Sequence, residues 1–140
     1  MQVKISSNAG KVERTLKKKG KDVSKSMKRA LSRTALAGIN IIEDRTEAGI
    51  GYKGGAFKPY SEKYNAFRRE EGRGSNVDLQ FSGRMLGSMT SKADSKKATI
   101  FFTRAEESKK AAMNNKSRPF FGFNRQEEKN LAMVFFRYIK

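Results

Sequence analysis

Few residues in this sequence have types and spacing that could do chemistry. The 140-residue chain contains no cysteine and no histidine. That excludes disulfides, zinc–thiolate centres and a Cys nucleophile. It also excludes a His general base and every His-dependent triad. Carboxylates, lysines, serines and tyrosines remain. Ser82-Gly83, inside VDLQFSGRMLGSM (77–89), imitates a nucleophile turn. That chemistry needs G-x-S-x-G with a later acid and a His, and position 80 is Gln. The step reads instead as a turn, with Ser82 capping the segment that follows.

Carboxylates are paired at Glu43/Asp44, Glu70/Glu71, Glu106/Glu107 and Glu127/Glu128. Acid–base cleavage of a glycoside needs two carboxyls converging on one cleft. These are chain neighbours in charged segments, as expected of solvated helix faces and caps. GIGYKGG (49–55) is glycine-rich with one lysine. It lacks the G-x-x-x-x-G-K-[ST] spacing of a phosphate loop, and no clear strand precedes it. No catalytic residue, metal ligand or cofactor is assigned.

The remaining chemistry is that of positive charge. The net charge is +17, and residues 1–34 alone hold 11 Lys/Arg against 2 Asp/Glu. A solvated helix face normally mixes both signs; this block does not. It implies a polyanion nearby, whether nucleic acid, an acidic membrane or an acidic protein surface. Lys11, Arg14, Lys18, Lys21, Lys25, Lys28, Arg29 and Arg33 are the candidate polyanion-facing residues. Contacts of this kind carry affinity and salt dependence without reading bases. A membrane-surface helix fits less well, because the apolar side has few large residues.

The basic block must be positioned by a helix. Lys11 to Thr46 reads as one long amphipathic helix, with Val12, Leu16, Val23, Met27, Ala30, Leu31, Thr34, Gly38, Ile41 and Ile42 on one side. Gly20 and Gly38 are candidate bends. From Leu36 onward apolar residues spread around the helix, so its second half is expected to be buried on more sides. Residues 47–76 are loop-rich, with Ser61 capping a short helix that includes Tyr64 and Phe67. Val77, Leu79 and Phe81 alternate with polar residues, predicting a strand over 77–81, with Met85, Leu86 and Met89 at helical spacing after it. ATIFFT (98–103) predicts a second strand, and 105–115 a short helix. Asn124 and Glu127 open a C-terminal helix carrying Leu131, Val134, Phe135, Tyr138 and Ile139. A third strand is expected at 2–6 or in the 50s, since two strands make a marginal sheet.

The expected class is α+β: a long N-terminal helix and C-terminal helices on a small antiparallel sheet, in one domain spanning 1–140. MQVKISSNAG lacks the apolar run of a signal peptide, and no stretch reaches the roughly 20 apolar residues that span a bilayer. Synthesis in a cytoplasm, with no membrane partner, is expected.

Four segments together resemble a known family: RALSRTALAGI (29–39), GGAFKPYSEKY (54–64), VDLQFSGRMLGSM (77–89) and SRPFFGFNRQEEKNLAMVF (117–135). Their order is similar to that in the tail-completion and neck proteins of tailed bacteriophages, the virion morphogenesis or head–tail joining group. Phe57, Pro59, Ser61 and Tyr64 match one family pattern. Leu79, Gly83, Met85 and Leu86 match a second, and Arg118, Pro119, Phe120, Phe121 and Gly122 a third. The chain departs from many relatives at ESKKAAMNN (107–115), where they carry a histidine.

The resemblance implies a non-enzymatic structural protein. It would form a homo-oligomeric ring, a hexamer or larger, at the junction of head connector and tail tube. Its partners would be connector, neck and tail-tube proteins, with non-specific contact to genomic DNA in the lumen. It would be made in the host cytoplasm and located in the virion. Candidate interface residues are Tyr52, Phe57, Tyr60, Met85, Met89, Phe120 and Phe121; methionines suit an adaptable contact. From a different class, the alternative is a monomeric cytoplasmic nucleic-acid-binding protein using the basic helix 11–33.

Overall fold

The computed structural model describes residues 1–5 and 23–139. The elements run β1 (Gln2–Ile5), α1 (Val23–Glu47), α2 (Glu62–Glu70), α3 (Arg84–Gly87), β2 (Met89–Ala93), β3 (Ala98–Phe102), α4 (Ala105–Ser117) and α5 (Arg125–Tyr138). The fold is α+β, with a three-stranded antiparallel sheet ordered β1-β3-β2. β3 is central, and its β-branched and aromatic residues are buried apart from Phe101. Val3 pairs with Ile100 on one edge, and Ser91 pairs with Ile100 on the other. The 2–6 segment thus supplies the expected third strand. β2 is a further strand that periodicity did not reveal, because TSK is polar and lies at a sheet edge.

α1 buries Met27, Ala30, Leu31, Thr34, Ala35, Gly38, Ile39, Ile42 and Thr46, a run spaced by three and four. Leu36 departs from the expected broad burial and remains 50% exposed. The predicted start at Lys11, the bend at Gly20, and Lys11, Arg14, Lys18 and Lys21 lie outside the described residues. Gly38 permits close approach: a Cβ there would lie 2.9 Å from Phe123 Cζ and 3.1 Å from Ile100 Cδ1. Helix, sheet and the 117–123 segment therefore meet where only glycine fits.

α5 begins as predicted. The Asn124 side chain accepts from the Glu127 amide, and the Glu127 carboxylate accepts from the Asn124 amide. These two bonds satisfy amides that the helix itself leaves open. Leu131 and Phe135 are buried on the side that lines a small cleft with Leu31 and Thr34 of α1. α2 likewise starts at Ser61, whose Oγ accepts from the Tyr64 amide.

Residues 77–81 are not a strand, which corrects the alternation-based expectation. Leu79 has φ 57°, a left-handed conformation that breaks an extended run. The Leu79 amide donates to the Tyr60 hydroxyl at 3.0 Å, and the Gln80 amide to the Asp78 carboxylate at 3.0 Å. The Gln80 carbonyl accepts from Arg68 at 3.0 Å. Side chains thus satisfy groups that a strand ladder would have used. Met89 is likewise corrected: it opens β2, while only Met85 and Leu86 belong to the four-residue α3. Ser82 Oγ accepts from the Arg84 amide at 3.3 Å, and Gly83, at φ 80°, occupies the cap position.

Candidate functional site

Three arginines join separate turns of the chain: Arg118 and Arg68 hold the loops around Tyr60, and Arg45 holds α1 to the 120–127 segment. Arg118 donates through Nε to the Lys58 carbonyl at 2.7 Å and through Nη2 to the Pro59 carbonyl at 2.9 Å. Its guanidinium sits 4.9 Å from the centre of the Tyr60 ring, and so does that of Arg68. Arg68 is 2% exposed and donates to the carbonyls of Gly74 and Gln80. Arg45 donates to the carbonyls of Phe120 and Gly122 and to both Glu127 oxygens. A planar guanidinium with five donors suits this joining of separate backbone turns.

Tyr60 lies at the centre of this framework. Burial pushes its hydroxyl above the ordinary tyrosine range, outweighing the Leu79 amide and the Arg68 charge, which act to lower it. It therefore stays neutral at physiological pH and accepts the Leu79 amide. Its ring also meets Tyr64 edge-on at 4.9 Å.

Beside this framework lies an open groove of about 970 Å³. Tyr64, Phe67 and Phe81 line it and remain 36%, 46% and 37% exposed. Phe67 stacks on Phe81 at 5.5 Å, and Arg73 sits over Phe81. Lys58, Arg84, Lys110 and Arg118 face the groove against Glu62 and Glu107. Lys110 pairs with the buried Glu107 at 3.4 Å. The groove offers cations and aromatic edges, but it has no nucleophile–base pair. Among the described residues, no group of three or more His, Cys, Asp or Glu is placed to hold a metal ion.

The predicted sites separate into two groups. Lys25, Lys28, Arg29 and Arg33 are exposed on the outer side of α1, and Arg33 sits 5.7 Å from the Tyr138 ring centre. Of the interface candidates, Tyr52 and Tyr60 are half-buried. Phe57, Met85, Met89, Phe120 and Phe121 are between 0% and 9% exposed and belong to the chain's own core. Their placement at an interface is corrected: the aromatic knot 117–123 folds inward because Asn115 accepts the amides of Phe120 and Phe121. The exposed apolar residues are instead Leu36, Phe67, Phe81, Met113, Met133 and Phe136, among others.

Sequence reasoning missed the roles of Arg45, Arg68 and Arg118, whose partners are distant carbonyls. It also missed that the outer face of α1 changes sign, since Glu43 and Glu47 continue the row begun by Lys25 and Arg29. That signal was readable from helical spacing.

No family model matches the sequence, and no curated protein or solved structure matches it. No helix among the described residues is long and apolar enough to cross a membrane.

Proposed function

We propose that the chain is a non-enzymatic structural subunit of a tailed-phage virion. It works as a ring at the head–tail junction, completing the tail tube and joining it to the head connector. One observation carries the reading. The segments that resemble the neck and tail-completion family are the segments that hold one another in place. Arg118 of the 117–135 segment donates to the carbonyls of Lys58 and Pro59 in the 54–64 segment, and the Tyr60 hydroxyl of that segment accepts the Leu79 amide of the 77–89 segment. Gly38, in the helical segment, receives Phe123. This interlocking of the resembling segments supports a structural subunit, whose role rests on holding its shape.

The charge fits this role. A ring of +17 subunits needs polyanionic neighbours to offset its self-repulsion. Genomic DNA in a lumen or acidic connector and tube surfaces supply them. The test is composition: purified virions contain the chain in a small fixed copy number, and cross-linking joins it to connector or tail-tube proteins. Particles that lack the chain contradict the reading.

The second reading, a monomeric nucleic-acid-binding protein, is favoured by the exposed row of Lys25, Lys28, Arg29 and Arg33. It predicts that log affinity for DNA falls linearly with log salt, with a slope of about −0.9 per phosphate neutralised. Binding that is weak at low salt removes it.

A further inference from the structure

The outer face of α1 carries charges that form no ion pair among the described residues; the Glu47 carboxylate accepts one hydrogen bond, from the neutral Gln80 Nε2 at 3.3 Å. At 100° per residue, Lys25, Arg29, Leu36, Glu43 and Glu47 fall within about 20° of one line along the helix. The two cations stand at one end, the two carboxylates at the other, and Leu36, 50% exposed, between them. The spacing is symmetric. Arg29 and Glu43 lie seven positions either side of Leu36, and Lys25 and Glu47 eleven. Arg33 and Asn40, also exposed, flank the centre.

We infer that this stripe is a self-complementary docking surface, on which a second copy of the chain packs its own α1 antiparallel across a two-fold axis at Leu36. In that arrangement Arg29 of each copy meets Glu43 of the other, and Lys25 meets Glu47. Leu36 meets Leu36, and Arg33 comes close to Asn40. A two-fold interface must be complementary to itself, and a helix whose charge inverts about a central apolar residue meets that condition. The paired stretch is about 33 Å long, at about 1.5 Å per residue. Antiparallel pairing also sets the two helix dipoles head to tail.

Within one subunit the same arrangement is unfavourable. Lys25/Arg29 and Glu43/Glu47 are like-charge neighbours at i,i+4, which destabilise an isolated helix. The carboxylates stand near the C-terminal end, where the helix dipole disfavours anions. No ion pair within the described residues engages Lys25, Arg29, Glu43 or Glu47. Burial and the neighbouring Glu47 and Asp44 push the Glu43 carboxyl up from its ordinary value. A face selected only for solvation would interleave the signs; this one separates them.

The occupant is a second copy rather than nucleic acid, because half of the stripe is acidic. The pairing also stands apart from the head–tail reading. In a free protein it gives a dimer, and within closed rings it joins two rings face to face.

The test is a charge swap followed by sedimentation velocity. Arg29→Glu and Glu43→Lys each place like charges together twice across the axis. Each alone should raise the dimer dissociation constant about tenfold or more. An equimolar mixture of the two should restore pairing as a heterodimer, because the carboxylate introduced at position 29 of one copy then meets the ammonium introduced at position 43 of the other. Restoration also shows that both variants are folded. The R29E change takes two charges off a net +17, so relief of general repulsion would strengthen association, not weaken it. A wild-type monomer, or an oligomer indifferent to both substitutions and to their mixing, overturns the inference. A ring mass indifferent to the swap sinks the pairing and leaves the head–tail reading. A swap-dependent dimer from a chain missing from virions does the reverse.

Discussion

Arg45 and Glu127, 82 positions apart, form a two-oxygen ion pair with Nη1–O distances of 2.7 and 2.6 Å. The pair joins the C-terminal turn of α1 to the first turn of α5. Glu127 also accepts the Asn124 amide, and Arg45 also holds the carbonyls of Phe120 and Gly122. Their side chains are only 9% and 14% exposed. Removing one partner leaves a largely desolvated charge. Arg45→Met should therefore destabilise the fold by about 3 kcal/mol or more. Chemical denaturation of R45M, E127Q and the double variant should give a coupling of about 1 kcal/mol or more. Additive effects would mean that the two residues act separately.

Gly38→Ala sets two effects against each other. Alanine favours an exposed helix by about 1 kcal/mol over glycine. Here its Cβ would meet Phe123 and Ile100 at 2.9 and 3.1 Å. Overpacking of this kind costs about 1–3 kcal/mol, so the variant should melt below the wild type. A rise in melting temperature would show that the Phe123 ring swings aside at no cost.

The Tyr60 hydroxyl should make stability fall at alkaline pH. Its folded-state pKa lies above the ordinary value of 10.0. The unfolded chain thus releases this proton first, and stability present below that value is lost as pH rises through the folded pKa. Tyr60→Phe should reduce that loss. At neutral pH it should cost about 1 kcal/mol, because the Leu79 amide loses its acceptor. Urea midpoints from neutral to strongly alkaline pH check both.

Glu43 has the same sign in the acid range. Its carboxyl is raised above 4.5, first by burial and then by Glu47 and Asp44. Its contribution is fully present below the unfolded value and is lost as pH rises through the folded one. At concentrations too low for pairing, Glu43→Gln should therefore melt higher than wild type at neutral pH. The advantage should vanish at about pH 3, well below the ordinary glutamate value, where the carboxyl is protonated in both states. An equal difference at both values would show that crowded carboxylates are not the cause.

Elements with a local cause were legible in the sequence. α5 declares itself through the Asn124–Glu127 cap and its apolar spacing, α2 through Ser61, and β3 through its β-branched and aromatic run. The segment 77–81 alternates as a strand would, yet its backbone is held by Tyr60 and Arg68, partners no periodicity identifies. β2 was hidden by its polar edge composition. The core residues Phe57, Phe120 and Phe121 looked suited to an interface, because glycine- and proline-rich surroundings suggest surface. The Asn115 and Arg45 bonds that draw the 117–123 turn inward come from residues outside that turn. The candidate surfaces divide in the same way. The cations of α1 were visible as a block, whereas the groove beside Tyr60 is lined by residues between 58 and 118 that only the tertiary fold brings together.

The central claim is most directly tested by deleting the chain's coding sequence from the phage genome that carries it and imaging the particles made. The account predicts DNA-filled heads and unjoined tails, with infectious particles regained when the purified protein is added to the lysate. Normal joined particles formed without the chain would contradict it.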